Sequence, residues 1–202
     1  MKARIAVFVS GGGTNLQALI DAQNSGVLTS GEIVLVVSNA SGAYALERAK
    51  NAGIPTAAVL KKQLGSQQAF EAELIRILEE NRIDVIVLAG FMSILSGDFT
   101  DRYPKRILNV HPSLIPSFCG AGFYGLHVHE AALRYGVKVT GATVHYVNQI
   151  PDGGEIIAQK AVEIQPGDTP ELLQRRVMEQ AEWILLPRAT EMVCAGIVDN
   201  KE

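Results

Sequence analysis

The sequence predicts an α/β fold with one open, mostly parallel twisted sheet, helices on both faces, and antiparallel strand pairing near the C-terminal edge. Two observations support this prediction. Short apolar, β-branched runs alternate with amphipathic helical segments along most of the chain, a pattern typical of parallel strands joined by crossover helices. Beyond residue 138, two strand-like segments follow one another with only a turn between them, which favours antiparallel pairing.

Local signals in the sequence support the individual elements. Gly53 and Gly136 follow two helical segments, and glycine readily adopts the left-handed conformation that ends a helix. Thr169, Pro170 and Glu171 indicate a helix start, with a capping hydroxyl, a proline at the first position and an acid in the first turn. In chain order, we predict strands over 4–10, 33–37, 56–60, 85–89, 107–110, 139–147 and 156–162, and helices over 15–24, 44–51, 67–81, 126–135 and from 170 toward 187.

The composition argues against several classes of protein. The chain has 202 residues and a formal net charge of -3, which suits one domain with a core and disfavours a nucleic-acid partner. No apolar run reaches the ~18 residues of a membrane span, and the N-terminus lacks a signal-peptide core. Cys119 and Cys194 have no metal-type spacing. We therefore expect a cytoplasmic protein without metal, nucleic-acid or membrane partners.

The segment 107–116 carries the most informative pair of side chains. An apolar run leads into Asn109 and His111, and Pro112 then ends the strand because it cannot donate to the sheet. Residues two apart on a strand share a face, so an amide and an imidazole project together at a carboxyl end, where open α/β sheets bind ligands. The alternative is a polar strand end satisfied by its neighbours. The shared face favours chemistry on a carbonyl group.

The glycine run Gly11–Gly13 joins the first predicted strand to the first helix. Backbone amides there can approach an anion, and the helix N-terminus adds partial positive charge. Thr14 and Asn15 add side-chain donors. The spacing matches neither the Walker pattern nor the dinucleotide fingerprint. A tight turn that requires positive φ is the alternative, but three glycines exceed what a turn needs, so we favour a phosphate.

Asp152 lies in a Pro-Asp-Gly sequence that, by itself, is an ordinary turn. The turn follows a strand, however, and it can lean over the same crevice as His111. In that case Asp152 would pair with His111, favour the imidazolium and fix its tautomer. The residue pattern is compatible with an ordinary turn and with a carboxylate that pairs with His111.

We do not expect the other histidines or the loop cysteine to take part in chemistry. His127 and His129 are two apart on a predicted helix and point in different directions, which disfavours a metal site. His145 lies within a predicted strand, and we expect a structural role for it. Cys119 lies in a glycine-rich loop with no sign of a base, so we do not expect it to be a nucleophile.

Three motifs together resemble the folate-dependent formyltransferases: the glycine loop at 10–15, the Asn-x-His-Pro-Ser-Leu-x-Pro run at 109–116, and the Asp-Gly-Gly turn at 152–154. The likeness extends from Ile5 to about Gly196. The last two motifs are shared across the superfamily, whereas the glycine loop resembles the phosphate loop of the members that formylate glycinamide ribonucleotide. The resemblance implies the Rossmann-like fold of this family.

The resemblance also implies one formyltransferase domain over 1–202, with a phosphate-binding half at about 1–100 and a folate-binding and catalytic half at about 101–202. The implied activity is transfer of the formyl group of 10-formyltetrahydrofolate, a co-substrate, to the amine of glycinamide ribonucleotide in purine biosynthesis. Hydrolysis of formyltetrahydrofolate, another formyl transfer of the superfamily and a non-enzymatic ligand-binding role are the alternatives. The implied partners are small molecules, and the chain would be a monomer or a homodimer.

Site residues follow from the resemblance position by position. The implied catalytic residues are Asn109, His111 and Asp152. The implied nucleotide-binding residues are Gly12, Gly13, Thr14, Asn15 and Glu182. The implied folate-binding residues are Met92, Ser93, Ile94, Leu95, Asn109, Asn148 and Asp152.

Three features depart from the family pattern. Gln67 stands where some members place a phosphate-binding arginine, and the alternatives are that Lys61 or Lys62 substitutes for it or that the phosphate binds less tightly. Ser93 replaces an arginine of the pterin segment, where backbone atoms do much of the recognition. The loop 117–125 is longer than in several relatives, and we consider it a candidate lid.

Overall fold

The predicted strands form one seven-stranded sheet in the computed structural model, which describes residues 1–200. Residues 201 and 202, the end of the predicted domain, lie outside the described residues. The strands are β1 (Ala3–Val9), β2 (Gly31–Ser38), β3 (Thr56–Ala58), β4 (Val85–Leu88), β5 (Ile107–His111), β6 (Val139–Tyr146) and β7 (Ile156–Glu163). Their order is β3-β2-β1-β4-β5-β6-β7.

The sheet is parallel from β3 to β5 and antiparallel at β6 and β7, which confirms the predicted fold class. A turn joins β6 to β7, and so short a connection permits only antiparallel pairing. The order of the strands reverses between β1 and β4, since β2 and β3 extend to one side and β4 and β5 to the other. Crevices at such a switch point are where open α/β sheets bind ligands.

Eight α-helices and one π-helical turn are assigned within residues 1–200. They are α1 (Thr14–Ser25), α2 (Tyr44–Asn51), α3 (Lys61–Leu64), α4 (Gln67–Glu80), α5 (Gly97–Asp101), α6 (Leu126–Tyr135), α7 (Pro170–Val177), the π-helical turn (Met178–Glu182) and α8 (Trp183–Asp199). The sequence analysis missed α3 and α5 because four or five residues are too few to show helical periodicity. In this part of the chain, no helix has the length and apolarity needed to cross a membrane.

Alternate residues of the central strand supply two apolar clusters on opposite faces of the sheet. Ile5 and Val7 of β1 belong to a cluster that α1, α2 and α8 cover. Ala6 and Phe8 belong to the other cluster, which α4 and α5 cover. Fully burying a large apolar side chain contributes about 1.5–3 kcal/mol, so both faces require their helices. This arrangement explains why the strand runs are apolar throughout rather than alternating.

The last helical segment extends further than the sequence predicted. The chain remains helical from Pro170 to Asp199, and Pro187 lies inside α8 rather than at its end. A proline leaves the carbonyl four residues earlier, here that of Trp183, without its usual donor. The wider π-helical turn ends immediately before Trp183 and contains Glu182. Single π-helical turns within helices often occur at functional positions.

Candidate active site

Two polar side chains project together from the carboxyl end of β5. The strand ends at His111, directly before Pro112, as predicted. Asn109 and His111 share one face of the sheet, and His111 is buried at 4% exposure. Burial removes competing water from the imidazole, which strengthens any electrostatic interaction that it makes.

The turn between β6 and β7 brings a carboxylate to these two side chains. Asp152 Oδ2 lies 3.5 Å from His111 Nδ1, and Asp152 Oδ1 lies 3.5 Å from Asn109 Nδ2. The backbone N–H of Gly120 donates to Asp152 Oδ2 at 2.8 Å. Asp152 itself adopts a left-handed backbone with φ of 55°, which is uncommon outside glycine and tolerated best by Asp and Asn. The structure therefore brings the three predicted catalytic residues into one cluster.

The electrostatics of the cluster favour an ionised Asp152. Burial on its own would raise the pKa of this carboxyl. The neighbouring imidazoles of His145 and His111 and the amide of Gly120 outweigh burial and hold the pKa of Asp152 below its usual value. The ionised carboxylate is an acceptor for the donors that surround it.

The loop 117–125 covers the cluster. His111 Nε2 lies 2.8 Å from the carbonyl oxygen of Phe118, and a carbonyl can only accept, so Nε2 carries a proton. The Phe118 ring packs edge-on against Phe123 and Tyr135 at centroid distances of 6.3 Å and 6.0 Å. The loop therefore lies against the predicted catalytic residues, where a lid would be placed.

His145 belongs to the same cluster, although the sequence analysis gave it only a structural role. The antiparallel register of β5 and β6 places His145 directly opposite Asn109. Its Nε2 lies 3.2 Å from Asn109 Nδ2 and 3.6 Å from Asp152 Oδ1. The available signal was the alternation of Thr143 and His145 on β6, which puts two polar side chains on one face. Using that signal required knowing that β6 neighbours β5.

The glycine loop lies at the end of β1, on the other side of β4 from the cluster. Strands are about 4.8 Å apart, so the two sites are separated by about 10 Å. Gly13 has a φ of 73° and is the N-cap of α1. A Cβ at Gly13 would lie 2.6 Å from the Ala45 side chain, whereas a Cβ at Gly12 would meet nothing within 4 Å. Gly13 therefore serves the fold, and Gly12 faces open space at a helix N-terminus.

A buried pair from distant parts of the chain adjoins this loop. Asn15 Nδ2 donates to Glu182 Oε2 at 2.7 Å, and both residues are buried. Burial raises the pKa of Glu182 to about 7, and the hydrogen bond from Asn15 partly opposes that rise. Thr14 Oγ1 lies 3.8 Å from Met178 Sδ in the π-helical turn. The structure thus brings the predicted nucleotide-binding residues together around the N-terminus of α1.

Arg48 is the cation that contacts the glycine loop, and the sequence analysis did not identify it. Its Nε donates to the Gly12 carbonyl at 2.8 Å, and its NH1 donates to Gln17 at 3.2 Å. Lys61 and Lys62, which the sequence analysis offered as substitutes for a phosphate-binding arginine, are exposed on α3. No contact joins either lysine to the glycine loop among the hydrogen bonds described for residues 1–200.

A cleft of about 120 Å³ connects the cluster with the segment after β4. Its lining includes six of the seven predicted folate-binding residues, namely Ser93, Ile94, Leu95, Asn109, Asn148 and Asp152. Met92 is not part of this lining and is 57% exposed. A buried glutamate secures the segment, because Glu71 accepts from Ser96 N at 2.7 Å and from Gln67 at 2.6 Å.

A wider groove of about 530 Å³ lies between α1 and α8. Apolar atoms dominate its lining, and none of Asn109, His111 and Asp152 contributes to it. We assign the chemistry to the smaller cleft because ionisable and hydrogen-bonding groups converge there. Within residues 1–200, no group of three or more His, Cys, Asp or Glu side chains is arranged to hold a metal ion.

Comparison with known proteins identifies the family of the chain. The model of the formyl transferase family matches residues 3–190. Phosphoribosylglycinamide formyltransferase from Haemophilus influenzae is 42% identical over 199 residues, which cover 98% of this chain and 91% of that protein. The trifunctional purine biosynthetic protein adenosine-3 of Gallus gallus is 47% identical over 201 residues, which cover 100% of this chain and 19% of that protein. This chain thus spans less than a fifth of that trifunctional relative.

A solved structure shows the same likeness in three dimensions. Glycinamide ribonucleotide transformylase 1 from Symbiobacterium toebii superposes with a TM-score of 0.90 at 40% sequence identity. The match covers 96% of this chain and 89% of that one. The resemblance that the three motifs indicated is therefore confirmed in sequence and in fold.

Proposed function

Because the chain belongs to the formyl transferase family, we propose that it transfers the formyl group of 10-formyltetrahydrofolate to the primary amine of glycinamide ribonucleotide, a step of purine biosynthesis. The family implies a folate-type co-substrate. One observation carries the proposal: an amide, an imidazole and a carboxylate converge at the carboxyl end of β5, two strands away from a glycine loop at a helix N-terminus.

The nucleotide would bind at the end of the crevice nearer β1. Its phosphate would accept hydrogen bonds from the loop formed by Gly12, Gly13, Thr14 and Asn15, with help from the α1 dipole. Arg48, bonded to the Gly12 carbonyl, adds positive charge beside the phosphate. Glu182 lies against Asn15 and would bind the ribose hydroxyls, for which a carboxyl is a suitable acceptor.

The folate would bind in the cleft between the segment after β4 and the β6–β7 turn. Ser93, Ile94 and Leu95 offer backbone donors and acceptors together with apolar contact, which suits a flat, polar-edged pterin ring. Asn148 and Asp152 lie on the opposite wall. Met92 lies outside the cleft, and its backbone N–H donates to Ser10 Oγ at 2.8 Å, so we assign it to holding the segment in place.

The proposed reaction is a direct attack by the neutral amine on the formyl carbon. The new C–N bond forms as the carbonyl oxygen becomes an oxyanion. Asn109 Nδ2 and protonated His111 donate to that oxyanion, and one donor of this kind is typically worth about a hundredfold or more in rate. Asp152 stabilises the imidazolium. A water then carries the proton of the attacking amine to the folate nitrogen, whose bond to the formyl carbon breaks.

The loop 117–125 already marks an acceptor position for this step. The Phe118 carbonyl oxygen accepts from His111 Nε2, and an oxyanion would accept from the same nitrogen. Substrate binding would therefore replace the Phe118 carbonyl, which requires a displacement of the loop. On this account the loop moves away from His111 when the substrates bind.

The proposed function also implies the partners of the protein and its place in the cell. The partners would be small-molecule substrates, with neither nucleic acid nor membrane involved. The chain would act in the cytoplasm without a metal, as a monomer or a homodimer.

A single assay tests the proposed function. The purified protein is mixed with 10-formyltetrahydrofolate and glycinamide ribonucleotide, and the folate absorbance change is followed together with formylated nucleotide and free formate. We expect formylated nucleotide to appear in step with the absorbance change. Formate without formylated nucleotide would instead identify a formyltetrahydrofolate hydrolase. Binding of either substrate without turnover would identify a ligand-binding protein.

A further inference from the structure

His145 is held in a defined orientation on β6. It is 2% exposed, and its Nδ1 lies 2.8 Å from the carbonyl oxygen of Tyr146. A carbonyl oxygen cannot donate a hydrogen bond, so Nδ1 must carry the proton that joins them. In the neutral ring the lone pair is then on Nε2, which points to Asn109 Nδ2 at 3.2 Å. The backbone of β6 therefore selects the tautomer of His145.

A side-chain amide has two ends of similar shape and opposite hydrogen-bonding character. Nδ2 of Asn109 donates, whereas Oδ1 accepts, and a 180° rotation exchanges them with little change in packing. An oxyanion next to Oδ1 would be repelled, while one next to Nδ2 would be stabilised. Catalysis by Asn109 therefore requires a neighbour that distinguishes the two ends.

We propose that His145 is a positioning residue that holds the Asn109 amide with its NH₂ group toward the reacting carbon. This inference rests on the proposed function, since it assigns Asn109 to the oxyanion. His145 Nε2 accepts one Nδ2 hydrogen, and the carboxylate of Asp152, at 3.5 Å, favours the same end of the amide. His111, the other imidazole near Asp152, has its own partners in Asp152 and Phe118.

A direct partnership between His145 and Asp152 is the competing explanation. Asp152 Oδ1 lies 3.6 Å from His145 Nε2, compared with 3.2 Å for Asn109 Nδ2. If Asp152 were the functional partner, His145 would act without Asn109. The two explanations predict different effects of a His145 substitution in a variant that already lacks the Asn109 side chain.

Two substitutions of His145 distinguish the roles of its two ring nitrogens. Gln can place its amide oxygen near the position of Nε2, where it accepts from Asn109, whereas Asn can place its NH₂ group near the position of Nδ1, where it donates only to Tyr146. We expect His145→Asn to lower kcat about 10- to 100-fold, with both KM values within about threefold, because a donor displaced by a fraction of an ångström stabilises the transition state poorly. We expect His145→Gln to recover most of that loss. The reverse pattern, activity in His145→Asn and loss in His145→Gln, would overturn the proposal in favour of a structural role through Tyr146.

A double-mutant cycle with Asn109→Ala then tests whether His145 acts through Asn109. In the Asn109→Ala background, His145→Asn should change kcat by less than about twofold, because the group that it positions is gone. A full additional loss would overturn the proposal and favour the partnership with Asp152. Circular dichroism and melting temperatures of each variant identify any loss that comes from folding.

A measurement that does not depend on turnover tests this inference independently of the proposed function. The side-chain NH₂ resonances of Asn109, assigned by their disappearance in Asn109→Ala, should shift in His145→Asn and remain near their wild-type positions in His145→Gln. Unchanged resonances in both variants would overturn the proposal. If the wild-type protein transfers no formyl group, the proposed function fails, while these resonances still report whether His145 orients the amide.

Discussion

The two ends of the proposed site, one for the nucleotide and one for catalysis, are built in different ways. The nucleotide end consists of backbone amides at the start of α1, supported by one buried acid, and its main loop comes from consecutive residues 10–15. The catalytic end consists of side chains, and it is assembled from β5, β6 and the turn that follows β6. The first end offers fixed dipoles to a charged group, and the second offers groups that can exchange protons.

This difference separates binding from chemistry. In the proposed mechanism, backbone donors and a helix dipole contact the phosphate equally in the ground state and the transition state, so they would contribute mainly to KM. The amide, imidazole and carboxylate would meet charge that develops only during the reaction, so they would contribute mainly to kcat. Substitutions at the two ends should therefore give opposite kinetic patterns.

Substitution of the carboxylate should produce the largest effect on turnover. We expect Asp152→Asn to lower kcat about 1,000-fold while each KM stays within about threefold, because a neutral amide cannot stabilise the His111 imidazolium. Steady-state kinetics with both substrates varied measures this. Asp101→Asn, an exposed aspartate at the end of α5, is the control and should leave kcat unchanged. Near-normal turnover in Asp152→Asn would remove Asp152 from the mechanism.

Glu182, the buried acid of the nucleotide end, should make the stability of the protein depend on pH. The pKa of Glu182 is raised from 4.5 to about 7 in the folded protein. Between these two pH values the carboxyl ionises in the unfolded protein but stays protonated in the folded one, so the wild-type protein loses stability as the pH rises. Glu182→Gln removes this loss. Relative to wild type, the free energy of unfolding of the variant should rise by about 3 kcal/mol from pH 4.5 to pH 8, as measured by urea unfolding.

An exposed glutamate provides the matched control for this prediction. Glu47→Gln on α2 removes the same charge at the surface together with an exposed ion pair to Lys50, which is typically worth less than about 1 kcal/mol, so it should not reproduce the effect expected for Glu182→Gln. If the stability difference between Glu182→Gln and wild type were the same at both pH values, Glu182 would not titrate as its burial requires. The nucleotide end would then be held by hydrogen bonding alone.

Substitution in the glycine loop should give the smallest effect, confined to binding. Gly12→Val should raise the KM for the nucleotide about tenfold and leave kcat nearly unchanged, because a side chain would occupy the space offered to the phosphate. Gly13→Ala is the contrasting variant. Its Cβ would clash with Ala45 at a φ of 73°, so it should lower the melting temperature instead. A rise in only the folate KM of Gly12→Val would show that the loop is misassigned.

Local sequence signals predicted the elements that carry the crevice. The Asn109/His111 pair followed by Pro112 specified a strand end with two polar side chains on one face, and β5 ends there. The glycine run specified the loop before α1, and the absence of a helix between the last two strands specified their antiparallel pairing. Each of these signals involves residues within a few positions of one another, where steric and hydrogen-bonding preferences act directly.

Long-range placements escaped the sequence analysis for a physical reason. His145 enters the cluster through the register of β5 and β6, and Arg48 reaches Gly12 from another helix. The continuation of α8 past Pro187 depends on the packing of that helix against the sheet, which outweighs the local penalty of proline. None of these contacts changes the periodicity of the segments that make them.

Local signals set the kinds of element and their chemistry, because apolar periodicity, glycine and proline act over a few residues. Which of these groups meet depends on the packing of the whole fold. Asn15 contacts Glu182 across 167 positions, and Asn109 meets His145 across 36. Such contacts arise when the sheet and its covering helices pack together, since burial of apolar surface stabilises the whole arrangement and does not depend on any one pair.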